Sequence, residues 1–397
     1  MKKFLPLLAV IFIILLTGCS NNSIENNLND IPLQKLSSKE TGIDFSNTIR
    51  PNLETKENLF DYDYFYNGSG VGIADLNNDG LKDVFFTSNQ SPNKLYLNKG
   101  ELRFEDITEK SNVNQNKGWS SGITFADVNN DGWLDIYISQ GGPFNSTKRK
   151  NTLLINNKDL TFTENASLYG LDDQGISTQS AFFDFDKDGD LDCVVMNENE
   201  FYGYDPLTFF KNFENKSLLR RNSSQLYEQV DGKFVNITER AGLLSPTFGL
   251  GLCISDINND GWQDIYIAND YYVKDAMYIN NQDGTFSNKI KESTKQISFY
   301  GMGVDIEDIN GDNLSDIFVL DMASSDHVRS KTLMASMNTS NFDLITNKLD
   351  QHYQYMFNSL QLNMGNNKYH NISHQLNIAK TDWSWAGLIF DYNLDGN

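Results

Sequence analysis

Five short segments of this 397-residue chain repeat one pattern of oxygen-bearing side chains. They begin at Asp75, Asp127, Asp184, Asp256 and Asp308 and read DLNNDGLKD, DVNNDGWLD, DFDKDGDLD, DINNDGWQD and DINGDNLSD. In the first, Asp75, Asn77 and Asp79 occupy positions one, three and five, so alternation directs their oxygens at one centre. Gly80 at position six allows a sharp turn, because it lacks the β-carbon that penalises positive φ. Leu81 at position seven can offer its carbonyl, and Asp83 at position nine can close the shell. The same roles fall to Asp127, Asn129, Asp131, Trp133 and Asp135, and to Asp184, Asp186, Asp188, Asp190 and Asp192. They recur in Asp256, Asn258, Asp260, Trp262 and Asp264, and in Asp308, Asn310, Asp312, Leu314 and Asp316. A sixth, partial copy holds Asp391, Asn393 and Asp395. Carboxylates crowded this closely repel one another unless a cation sits among them. An all-oxygen set of this size suits Ca2+ better than Mg2+, which demands stricter geometry and keeps its waters. The expected cofactor is Ca2+, at about five sites, one per complete loop. The fifth loop has Asn313 where the others have glycine, a modest loss because Asn tolerates left-handed geometry. An EF-hand is excluded: its position-twelve acid is replaced by Phe86, Ile138, Val195, Ile267 and Val319, all in apolar runs.

The loops must be held by strands. GVGIA, GITFA, SAFF, GLGLCIS and GMGVDIE precede them, and VFFTS, IYIS, CVVM, IYIA and IFVL follow. These runs are short, β-branched and aromatic, and are bounded by Gly, Asn and Asp, which predicts strands. Downstream of each lies a second module, such as NKLYLNKGELRFEDITEKSNV, whose apolar runs flank turn residues and predict a hairpin. One unit is therefore strand A, acidic loop, strand B, connection, strand C, turn, strand D. Loop starts are 52, 57, 72, 52 and 83 residues apart. Four short strands per unit at this period predict an all-β fold, a β-propeller of four-stranded blades. Residues 33–48 look like the end of a C–D module and are expected to give the last blade an outer strand. Its partner strands would lie beyond Asn397, so the propeller is expected to be incomplete at the C-terminus as given.

The N-terminus carries Lys2 and Lys3, an apolar run from Phe4 to Leu16, and then Leu16-Thr17-Gly18-Cys19. A positive start, a short apolar stretch and small residues before a cut describe an export signal. The ending resembles the bacterial lipoprotein box, which implies cleavage before Cys19 and lipid on its sulfur. The expected layout is signal peptide 1–18, flexible tether 19–31 and propeller 32–397. The expected location is the cell envelope, lipid-anchored, at the outer membrane. Cys193 and Cys253 sit in apolar strands and are expected as buried free thiols. Acidic residues outnumber basic ones by 53 to 32, for a net charge of −21, so a nucleic-acid partner is not expected.

With loops and strands assigned, the units resemble the FG-GAP/VCBS repeats of integrin-like propellers. The whole chain is similar to VCBS-repeat lipoproteins related to the cartilage acidic protein and ASPIC/UnbV group. The segments that carry the likeness are TGIDFSN, YFYNGSGVGIADLNNDG, NKLYLNKG, HYQYMFNSLQLN and TDWSWAGLIFD. The resemblance implies seven blades when complete, calcium in the blade loops and a binding role.

Topology places the acidic loops and C–D turns on one face, and the B–C and D–A connections on the other. Long B–C insertions at 198–223 and 323–357, with Tyr202, Tyr204, Tyr271 and Tyr272, make that second face the candidate site for a glycan or envelope protein. The second insertion contains a helix-compatible stretch, SNFDLITNKLDQHYQYMF. No catalytic motif is recognisable, and His327, His352, His370 and His374 follow no metalloprotease or triad spacing. The alternatives left open are a propeller-based polysaccharide lyase or hydrolase, with His327 and Arg329 as its test residues, and an accessory subunit of an outer-membrane uptake complex.

Overall fold

The computed structural model describes residues 34–114, 118–143, 149–332 and 339–391. Ser37–Phe390 forms one unit and holds all the sheets, while residues 34–36 and 391 group separately. Five four-stranded antiparallel sheets follow one another along the chain. Blade 1 comprises β1 (Val71–Ala74), β2 (Asp83–Phe86), β3 (Lys94–Asn98) and β4 (Phe104–Asp106). Blade 2 comprises β5 (Trp119–Ala126), β6 (Asp135–Gly141), β7 (Thr152–Asn156) and β8 (Phe162–Glu164). Blade 3 has β9 (Ser177–Phe183), β10 (Asp192–Asn197), β11 (Gln225–Val230) and β12 (Lys233–Asn236). Blade 4 has β13 (Gly249–Ser255), β14 (Asp264–Asn269), β15 (Ala276–Asn280) and β16 (Phe286–Asn288). In blade 5, β18 (Gly303–Glu307), β19 (Asp316–Leu320), β21 (Ser359–Asn363) and β22 (Tyr369–Asn371) pair in that order. The remaining pair, β17 (Ile297–Ser298) and β20 (Gln354–Tyr355), is a short parallel ladder. The fold is all-β, with the four-stranded units of propeller blades.

The core lies between blades. Phe183, Val194 and Leu226 of blade 3 pack with Leu252, Ile265 and Ile267 of blade 4. Equivalent clusters join blades 1 and 2, 2 and 3, and 4 and 5. The B strands of blades 2, 3 and 4 are covered on both sides, which is why β10 and β14 are buried at every residue and read as continuous apolar runs. The A strands of consecutive blades approach closely, and their glycines permit this. A β-carbon on Gly122 of β5 would stand 2.4 Å from the Thr178 carbonyl oxygen of β9, and one on Gly251 of β13 2.9 Å from the Val304 nitrogen of β18.

Two sequence expectations change, at residues 34–48 and in the second insertion, and the first insertion proves to be helical. Residues 34–48 form no strand; a capping box between Ser37 and Glu40 starts the helical turn Ser38–Thr41 instead. Gly42 then abuts the Phe104 carbonyl, as Gly170 and Gly242 abut those of Phe234 and Phe286. Insertion 198–223 contains two helices, Pro206–Asn212 and Lys216–Arg221, N-capped by the side chains of Asp205 and Asn215. In the second insertion, helical turns span Thr339–Asp343 and Leu344–Lys348, but the chain then extends into β20, which the sequence placed in a helix. Cys193 and Cys253 are free thiols, the first buried and the second half-buried. Among the described residues no helix is long and apolar enough to cross a membrane. The export signal, Cys19, Asn393 and Asp395 lie outside the described residues.

Candidate metal centres and the opposite face

Each acidic loop joins strand A to strand B through two residues with positive φ. In the first loop these are Asn78 and Gly80, at 57° and 86°. The fifth loop exchanges the two residue types, with Gly311 at 74° and Asn313 at 64°. Asparagine's tolerance of the left-handed region keeps the loop shape unchanged there. The side chains at positions one, three and five fold over the loop's own amides. Asp75 accepts from the N–H of Asp79 (Oδ1, 3.1 Å) and of Gly80 (Oδ2, 2.8 Å). Asn77 Oδ1 also accepts from Asp79 N–H, and Asp79 Oδ1 accepts from Leu81 N–H. Asp127, Asn129 and Asp131 repeat this pattern, as do Asp184, Asp186 and Asp188. So do Asp256, Asn258 and Asp260, and Asp308, Asn310 and Asp312. The position-seven amides of Trp133, Asp190, Trp262 and Leu314 are thereby tied down, which fixes the backbone whose carbonyls the sequence nominated.

Charge concentrates most in blade 3. One carboxylate oxygen from each of Asp184, Asp186 and Asp188 lies within 4.8 Å of the others. Burial and then the charge of Asp188 push the Asp186 carboxyl above its ordinary value. Loops 1, 2, 4 and 5 have asparagine at position three, and in loops 1, 4 and 5 its amide donates to the position-five carboxylate at 2.9–3.1 Å. The donors are all hard oxygens, a set that fits a divalent cation such as calcium.

Position nine does more than the sequence suggested. Asp83, Asp135, Asp192, Asp264 and Asp316 are almost wholly buried. One oxygen of each accepts from the position-two amide of its own loop, at Leu76, Val128, Phe185, Ile257 and Ile309. The other accepts from a strand-C amide, at Asn98, Asn156, Gln229, Asn280 and Asn363. Each carboxylate therefore locks the A–B loop to the C–D turn of its blade. A carboxylate oxygen has two lone pairs, so these bonds leave capacity for a cation. Burial pushes Asp135 up to about 6 and Asp192 and Asp264 to about 7, with neighbouring loop aspartates adding to the shift.

The strand-C asparagines were not singled out from sequence. Asn156 donates from Nδ2 to the Leu134 carbonyl of its own loop and the Leu76 carbonyl of the preceding one. Asn280 does the same with Gln263 and Phe185. The signal was present, since the strand ends YLN, LIN, YIN and QLN in four units, with Gln229 in the other. Adjacent loops also touch directly: Asn78 donates to the Gly132 carbonyl, and Asn259 to that of Asn313.

On the opposite face, the four tyrosines named from sequence lie in one connected layer of rings. Tyr202 packs edge-on against Tyr62 and Tyr64, and its hydroxyl donates to the Asp61 carbonyl. Tyr271 touches Tyr64, Phe248, Tyr272 and Tyr300, and donates to Asp63. Tyr272 meets Phe209, while Tyr204 is exposed beside Phe201. Two deeply buried acids lie beneath the layer: Glu198 accepts from Tyr62 Oη (3.2 Å) and Asp270 from Tyr64 Oη (2.8 Å). Sequence reasoning missed both pairs. Of the histidines, His352 is buried against Thr294 Oγ1, and His374 sits edge-on to Phe357. Arg329 forms an exposed ion pair with Asp382.

The FG-GAP-like repeat family matches residues 75–138 and 256–319, which span the first two and last two complete loops. This chain carries FG-GAP-like repeats. It is related to cartilage acidic protein 1, with 30% identity over 131 residues to the Xenopus tropicalis protein and 30% over 133 to the Homo sapiens one. Those matches cover 33% and 32% of this chain, and the chain spans about a fifth (20%) of the length of either relative. Among solved structures, an Agrocybe aegerita lectin that recognises non-reducing terminal N-acetylglucosamine aligns with TM-score 0.38 and 15% identity, covering 76% of this chain and 64% of that one. The V. cholerae biofilm matrix protein Bap1 aligns at TM-score 0.37 and 14% identity, covering 65% and 35%. The loops starting at Asp75, Asp127, Asp256 and Asp308 fall within the matched residues, and the loop starting at Asp184 shares their hydrogen-bond pattern outside them.

Proposed function

We propose that this FG-GAP-repeat protein is a calcium-braced binding scaffold of the cell envelope, non-catalytic and anchored by lipid on Cys19. Its five complete loops each hold one Ca2+ through positions one, three and five, the position-seven carbonyl and the buried position-nine aspartate. Bound calcium neutralises the crowded carboxylates. The chain's own residues shape the site, through left-handed turn residues and the amides that orient each carboxylate. The aromatic face opposite the loops is where an envelope glycan or protein is recognised.

The observation that carries this reading is the blade 3 loop. Three carboxylates within 4.8 Å and a fourth, Asp192, buried beneath them form a set that a divalent cation relieves. A ligand that binds only the folded state stabilises it by about 2.7 kcal/mol per site at a hundredfold excess over Kd. Several loops together should therefore raise the melting temperature by upwards of about 10 °C. Calcium titration of the chelator-treated full chain tests this by differential scanning fluorimetry. A saturable rise supports the reading; an unchanged melting temperature at millimolar calcium sinks it.

A further inference from the structure

Between the A strands and the aromatic layer lies a cavity of about 270 Å³, whose walls include Tyr62, Tyr64, Trp119, Gln179, Glu198 and Trp385. Glu198 is only 2% exposed. It accepts a hydrogen bond from Tyr62, and among the described residues it forms no ion pair. Arg149, the cation whose field reaches it, is paired with Glu200 at 2.6 Å. Burial, with the nearby charge of Asp270, pushes the Glu198 carboxyl well above its ordinary value. A buried carboxylate without a counter-charge is costly, so the site is relieved either by a proton or by a cation. The walls decide between ligand classes. Trp119 and Tyr62 meet edge to face at 6.1 Å, and Trp385 adds a third ring to the lining. Ring faces attract cations, most strongly when both are desolvated. A neutral sugar could stack on the rings and donate its hydroxyls to the acid, but it would leave the buried charge uncompensated.

We propose that this cavity binds a small organic cation, a protonated amine or quaternary ammonium group, with Glu198 as its counter-charge and the rings of Tyr62, Trp119 and Trp385 as its walls. The volume is at the small end for ligand pockets, which begin at roughly 300 Å³, and suits a compound the size of a hexosamine or choline. Gln179, at the solvent-exposed part of the lining, offers hydrogen bonds to the uncharged end. The inference rests on reading this face as the recognition face, but not on calcium occupancy.

The test uses the full chain in saturating calcium at pH 7, where glucosamine carries its proton. Glucosamine, choline and neutral glucose are titrated by calorimetry and tryptophan fluorescence. Saturable binding of glucosamine, choline or both is expected, at least about tenfold tighter than glucose. Glucosamine alone would identify an amino-sugar site, and choline alone a quaternary ammonium site. Glu198→Gln keeps the acceptor for Tyr62, so it should weaken cation binding about tenfold or more while leaving the melting temperature unchanged or raised. Trp385→Ala, as a second variant, should weaken binding without altering calcium stabilisation. The proposal is overturned if neither cation binds below about 10 mM, a Kd corresponding to under about 3 kcal/mol. It is equally overturned if glucose binds as well as glucosamine, or if Glu198→Gln binds the cations as tightly as the unaltered chain. Calcium stabilisation without cation binding would remove this proposal alone and leave the calcium reading standing.

Discussion

Replacing Asp264 with alanine separates the two jobs assigned to position nine. The carboxylate is fully buried and accepts from Ile257 N–H at 2.9 Å and Asn280 N–H at 2.8 Å. Both donors belong to buried residues, so water does not readily replace the lost acceptor. An unpaired buried donor costs about 1–3 kcal/mol, so the pair costs roughly 2–6 kcal/mol, or about 2–5 kcal/mol after the relief of removing a desolvated acid. Unfolding entropy of about 2 cal/mol/K per residue converts this to a fall of roughly 3–7 °C in melting temperature for a chain of this size. That fall should appear in calcium-free buffer, before any metal effect. Asp260→Ala is the control. Asp260 is exposed at position five, so without calcium its loss should cost less than about 1 kcal/mol. In calcium, both variants should lose part of the metal-induced rise. Melting curves with and without calcium measure all four values. The lock between loop and C–D turn is refuted if Asp264→Ala melts like the parent without calcium while Asp260→Ala does not.

Asn280→Ala removes two donated bonds, one to the Gln263 carbonyl of its own loop and one to the Phe185 carbonyl of blade 3, and chemical denaturation should show a loss of about 1–3 kcal/mol. Gly122→Ala forces a β-carbon to 2.4 Å from the Thr178 oxygen; the clash should cost about 1–3 kcal/mol and lower the melting temperature even in saturating calcium. Away from the loops, Asp270, Asp275 and Asp321 are each pushed up to about 7, chiefly by burial. Their folded values exceed the unfolded value of 3.8, so the folded chain binds protons more tightly. This stabilisation is complete below about pH 4 and is lost as pH rises through about 7. Calcium-free melting temperatures should therefore be higher at pH 5.5 than at pH 8, and a scan across that range would contradict the assignment if the trend were reversed.

The loops and blades were legible because their determinants are local. A ligand set at alternating positions, with a left-handed residue beside it, is written within nine residues. The exchange of Gly311 and Asn313 in the fifth loop was tolerable for the reason the sequence supplied. Position nine was half legible: its acid type suggested a ligand, but its second partner, such as Asn98 for Asp83, is supplied by another strand. The strand-C asparagines repeat visibly, yet their inter-blade bonds depend on how sheets stack. The helices of insertion 198–223 had cap signals in Asp205-Pro206 and Asn215, obscured by a run of phenylalanines. The pairing of Tyr62 with Glu198 and of Tyr64 with Asp270 joins residues 136 and 206 apart, and no local pattern marks it.

Crowded loop carboxylates are proposed here to exist for a divalent ion, and counting that ion tests the idea most directly. The purified full chain should be dialysed against micromolar calcium and its metal measured by mass spectrometry, alongside the variant Asp184→Ala/Asp188→Ala. The account predicts close to five calcium ions per chain, one for each complete loop, and about one fewer in the variant. A chain that retains no calcium, or a variant that retains as much as its parent, would contradict it.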